Sequence, residues 1–146
     1  DYFNIPEKQE YIELYNNVKN INYAFIHNQS SKGLEFTIDI VEEKLKINRN
    51  QLLLINPDRN SYDSLSAEHP FYELANKFIG YPLPYYMEII KKSNYNIVCD
   101  SSFFCMAINL EIQHDNNYYV SKNSYDFLYE HIPTNKKKFY NLMDKN

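Results

Sequence analysis

Glycine is nearly missing from this chain, with two in 146 residues. A GxGxxG dinucleotide fingerprint needs three, and a GxxxxGK[ST] phosphate loop needs two at a spacing that Gly33 and Gly80 do not have. Neither NAD-type nor P-loop ATPase chemistry has its scaffold here. Cysteine is as scarce, and Cys99 and Cys105 alone build neither a disulfide framework nor a four-cysteine zinc site. The four histidines, His27, His69, His114 and His131, are far apart and lack ligand spacing, so no metal site is expected. An excess of basic residues is also missing. The net charge is -4 and the pI about 5.5, against duplex nucleic acid or an anionic membrane as the main partner. No apolar run reaches the 18 residues of a membrane span, and Asp1-Tyr2-Phe3-Asn4 has neither the charged start nor the apolar core of a signal peptide. With so little cysteine the reading is a cytoplasmic, reducing home.

What is present is an alternation of apolar segments at two periods. The length suits one domain with one core, taken as residues 1–146. The opening without Met reads as a fragment of a longer, two-domain chain. Tyr11, Leu14, Tyr15 and Val18 repeat at i, i+3, i+4 and i+7 and predict a helix. Ile21 to His27 and Leu52 to Ile55 read as strands, the second ended by Asn56-Pro57-Asp58. His69 to Phe78 and Leu83 to Ser93 read as helices around a Gly80-Tyr81-Pro82 break. Ile97 to Cys99 closes a strand that runs into a helix from Asp100 to Leu110. The tail predicts a strand at Tyr118 to Val120 and helices at Ser124 to Glu130 and Asn135 to Leu142. Such alternation predicts an α/β fold, a Rossmann-like doubly wound, mostly parallel sheet with helices on both faces.

Open α/β sheets bind ligands beyond the carboxyl ends of their strands, and the loops there are polar. At Asp100-Ser101-Ser102 the free N–H groups of a helix start and two hydroxyls suit an anion such as a diphosphate; equally, Asp100 and Ser101 cap a helix and do no more. The loop Asn28 to Gly33 adds Ser30, Ser31, Lys32 and the permissive Gly33, and alone it also reads as a solvated turn. His27 ends a strand at the same edge, where it contacts a ligand or is simply hydrogen-bonded. Tyr81 to Tyr86 reads as a base-stacking surface or as a rigid helix entry. Asp-Ser-Ser is not a GxSxG nucleophile elbow, and no hydrolase triad can be assigned.

The run Asp100-Ser101-Ser102-Phe103-Phe104-Cys105-Met106-Ala107-Ile108-Asn109-Leu110 resembles the D-S-G-x-x-H-x-A-x-x-L signature in the C-terminal donor-binding domain of heptosyltransferase-like glycosyltransferases of the GT-B fold. Ser30-Ser31-Lys32 after a strand, the strand at Leu52 to Ile55, and Gly80-x-Pro82-Leu83 leading a helix into Asp100 follow the same order. UDP-sugar 2-epimerases share a related pattern. Ser102 stands where the family has glycine, Cys105 where it has histidine, and the epimerases' glutamate pair is missing. The resemblance implies a domain that binds a nucleoside-diphosphate sugar as donor substrate, without metal or other cofactor, with the acceptor held mainly by a second domain. His27, Ser30, Ser31, Lys32, Gly33, Asp100, Ser101 and Ser102 would line the donor site. A non-catalytic nucleotide- or sugar-phosphate-binding module and an epimerase-like isomerase remain as alternatives.

Overall fold

The computed structural model describes residues 8–58, 69–99, 102–120 and 139–145. After helix α1 (Gln9–Asn16) come strand β1 (Tyr23–His27), the short strands β2 (Gln29–Ser30) and β3 (Gly33–Leu34), and helix α2 (Ile38–Leu45). Strand β4 (Leu53–Ile55), helix α3 (Tyr72–Asn76), helix α4 (Met87–Lys92), strand β5 (Tyr95–Cys99) and helix α5 (Ser102–Ala107) follow. Strands β6 (Asn117–Val120) and β7 (Tyr140–Asn141) come last among the described elements, and short 3-10 turns lead into β4 and α4 and follow β7.

The main sheet has five parallel strands in the order β4-β1-β5-β6-β7. Numbered along the chain, these five run 2-1-3-4-5, a doubly wound order. The fold class predicted from the sequence is the one observed. All five residues of β1 and all three of β4 are buried. Unbroken apolar runs form central parallel strands because both faces of such a sheet are covered.

Side chains alternate across a strand, so β1 divides into two sets. On one face Tyr23 donates its hydroxyl to the Ile89 carbonyl at 2.5 Å, and the Phe25 ring lies 5.8 Å from Tyr86 and 5.7 Å from Phe103. That face is covered by α4, its preceding 3-10 turn and α5, with α1 packed on the same layer. Ala24 and Ile26 point to the opposite face, and α2 packs against the last 3-10 turn. Lys44 of α2 joins those two by donating to the carbonyls of Met143 and Lys145.

Local chemistry sets the ends of α2. Thr37 accepts from the Ile40 N–H at 3.3 Å as N-cap, and the helix stops at Lys46 in the left-handed region (φ 57°). Arg49 then turns back to pair with Asp39 and Glu42. The hydrogen bonds from Arg49 hold the Glu42 carboxyl below its usual range.

Two expectations are corrected. The segment from Asn28 to Gly33 is not a plain loop but the start of a hairpin, with Gln29 paired to Leu34 and Ser30 to Gly33. Of the predicted helix Asn135 to Leu142, Tyr140 and Asn141 instead form strand β7, pairing with Tyr118 and Tyr119 at the sheet edge, and residues 135–138 lie outside the described residues. The predicted helix at Ser124 to Glu130 lies outside the described residues.

Candidate functional site

The direction of winding reverses between β1 and β5. From β1 the chain crosses to β4 on one side, then returns to β5 on the other. Loops leaving adjacent strands at such a switch point diverge and leave a crevice at their carboxyl ends. Ile26 is level with Ile97 and His27 with Val98, so β1 and β5 end side by side. The hairpin that follows β1 and the segment that follows Cys99 therefore start from neighbouring strand ends. Among the predicted site residues, Asp100 and Ser101 lie outside the described residues. Ser102 is the exposed first residue of α5.

His27 is buried at this edge, 8 % exposed. Its ring sits 4.5 Å from that of Phe103, and its Nδ1 lies 3.8 Å from the Cys99 Sγ. Burial pushes its pKa down to about 4, against the opposing pull of Asp58. The imidazole is neutral at physiological pH, so it offers a phosphate no positive charge.

The hairpin is bound tightly into itself. The Ser30 hydroxyl donates to Glu35 Oε1 at 2.6 Å and accepts from the Lys32 N–H at 3.1 Å. Gly33 closes the turn at φ 107°, where a side chain would be strained. Ser31 and Lys32 stand exposed at the tip. Of the predicted set, Lys32 is the cation at this edge, while Glu35 adds an acceptor beside Ser30.

Residues not singled out from the sequence organise the edge. Asn28 is buried, donates Nδ2 to the Phe36 carbonyl at 3.0 Å, and accepts from Asn56 Nδ2 on its Oδ1 at 3.0 Å. Its own carbonyl accepts from the Glu35 N–H at 2.8 Å. Asn56 in turn accepts from the Asp58 N–H at 3.0 Å. Two asparagines thus tie the ends of β1 and β4 together and anchor the hairpin. Their signal was an Asn following each apolar run, Ile26-His27-Asn28 and Ile55-Asn56.

The Tyr81 to Tyr86 stretch has a structural task. The Tyr86 hydroxyl donates to the Phe78 carbonyl and accepts from the Tyr81 N–H at 3.2 Å, fixing the entry to α4. Tyr81 remains exposed, with its ring 5.2 Å from Tyr85. His69 is also structural. Its Nδ1 accepts from the Phe71 N–H, so its Nε2 carries the proton donated to the Arg49 carbonyl at 2.6 Å. Among the described residues no three of His, Cys, Asp and Glu gather as metal ligands, and no helix is long and apolar enough to cross a membrane.

No family model, curated protein or solved structure matches this chain.

Proposed function

We propose that this chain is a nucleotide-sugar-binding domain of a glycosyltransferase, with its ligand at the carboxyl edge between β1 and β5. The observation that carries the reading is the strand order. It sets a switch point at the two strand ends followed by Ser30-Ser31-Lys32 and Asp100-Ser101-Ser102, the segments that resemble the donor-binding signature.

In this reading the diphosphate meets the N–H groups and hydroxyls of the Asp100-Ser101-Ser102 turn, with Lys32 as counter-charge. The same donors stabilise the charge that builds on the departing nucleoside diphosphate as the sugar leaves. Glu35 and Asp58 repel phosphate but accept well from hydroxyls, so the ribose or sugar lies toward the hairpin and β4. His27 and Phe103 form the apolar floor beneath it. The acceptor and the proton-accepting base belong to a second domain.

Calorimetric titration with UDP, GDP, ADP and their sugar conjugates, each with and without chelator, tests this. Binding of at least one nucleotide, undiminished by chelator, is expected. Ser102→Asp places a carboxylate where the phosphate belongs, and should weaken that binding at least tenfold. Asp suits the first turn of a helix, so the variant's stability should stay within about 1 kcal/mol of the parent. A folded Ser102→Asp protein that binds nucleotide as tightly as the parent removes this turn from the site.

A further inference from the structure

The opposite, amino end of the sheet carries a second polar feature. A trough of about 540 Å³ opens where β4, β1 and β5 begin, lined in part by Asn22, Lys46, Asn48, Gln51, Asn94 and Tyr95. It adjoins a second hollow of about 380 Å³ that shares Asn22 and Asn94. The larger volume falls within the range of small-molecule sites. Among the described residues, no carboxylate lines either hollow.

Two of the amides are held in a fixed sense. Asn94 Oδ1 accepts from the Tyr23 N–H at 3.0 Å, and Asn48 Oδ1 accepts from the Asn50 N–H at 2.9 Å. A backbone N–H bonds only to the oxygen of an amide side chain, so in both residues the NH2 group is left to donate elsewhere. Lys46 adds a cation on the same wall. Its left-handed backbone at the end of α2 turns the chain into the trough. Gln51 and Asn22 are exposed, and either can donate or accept. The half-buried Tyr95 adds a ring.

Among the described residues, a wall of oriented N–H donors with Lys46 and no carboxylate matches a ligand rich in acceptor oxygens. A purely apolar ligand would leave those donors unpaired, and a cationic one would meet Lys46. We propose that this trough binds an anionic sugar, with its hydroxyls accepting from Asn48 and Asn94 and its acidic group paired with Lys46. The acidic group is a carboxylate or a phosphate. The site is separate from the carboxyl-edge site, and it stands whether or not that edge binds a nucleotide.

The test is an amide-resolved NMR titration of the whole chain with galacturonate oligomers, with glucose 6-phosphate, and with neutral glucose oligomers. At least one anionic probe should shift the Asn48 and Asn94 side-chain NH2 signals saturably, and the neutral sugar should bind at least fivefold more weakly. Which acidic probe binds more tightly tells carboxylate from phosphate. Asn48→Asp keeps an oxygen to cap Asn50 but replaces the NH2 donor with a charge, and should lower the affinity at least tenfold. Lys46→Gly removes the cation and relieves a left-handed backbone, so loss of binding there cannot be laid to unfolding. It should weaken the anionic probe at least fivefold and leave the neutral one unchanged. Failure of both anionic probes to shift these signals, or unchanged affinity in Asn48→Asp, overturns the proposal.

Discussion

A histidine packed between Phe103 and Cys99 loses more hydration on protonation than nearby Asp58 gives back, and the His27 pKa of about 4 follows from that. The sign of the pH effect is fixed. Above the unfolded value of about 6.5 both states are neutral and the group contributes no slope. Between 6.5 and 4 the unfolded chain binds a proton that the folded one refuses, so stability falls as the pH falls. Between pH 7 and pH 5 this amounts to a loss of about 2 kcal/mol. Urea unfolding of the parent and of His27→Gln at those two pH values checks it. The parent should lose that much more than the variant, and parallel losses would mean that His27 titrates normally in the fold. The sequence placed His27 at a strand end, where ligand contact and simple burial read alike. What separates them is Phe103, 76 positions away, and no local pattern contains that contact. The Asn28–Asn56 pair was hidden for the same reason: each Asn looked like a strand terminator until the sheet brought the two together.

At the scale of elements, β1, β4, β5 and β6 were legible in the sequence, each from a short run rich in apolar, aromatic or β-branched residues. Their apolarity results directly from burial on both faces. Element β7 was not legible. Two residues of strand, Tyr140 and Asn141, are stabilised by pairing with β6 rather than by their own pattern, and a helical reading absorbed them. The β2–β3 hairpin is two residues a side and was read as loop for that reason. Helix α2 was passed over because its apolar set, Ile38, Val41 and Leu45, is short and set among charges. Its N-cap is the sharper mark. Thr37→Ala removes the acceptor for the Ile40 N–H and should cost about 1 kcal/mol, while Thr37→Ser should cost little. Chemical denaturation of both variants reads this. Equal losses would point to the threonine methyl group rather than the cap.

Over the whole molecule, composition and alternation were enough to predict a doubly wound sheet, but not its order. Strand order depends on which segments meet across long loops. It is the order 2-1-3-4-5 that puts the switch point between β1 and β5 rather than at another pair. The candidate site was legible in part. Ser30, Lys32 and Ser102 follow the two strands that flank the switch point, whereas His27 is buried against Phe103, and Asn28, Glu35 and Asn56 had no sequence signal strong enough to single them out. The two ends of the sheet differ in chemistry among the described residues: the carboxyl edge carries the start of α5, Lys32 and Glu35, while the trough at the amino edge is lined by amides and Lys46 with no carboxylate.

The location of nucleotide binding is the most direct test. In an amide-resolved NMR titration with the best-bound nucleoside diphosphate, the account predicts saturable shifts at residues 28–35 and 100–104. Asn22, Asn48 and Asn94 at the other end of the sheet should stay still. Saturable shifts confined to the amino end, or no shifts with any nucleotide, would contradict the assignment of the switch point as the binding site.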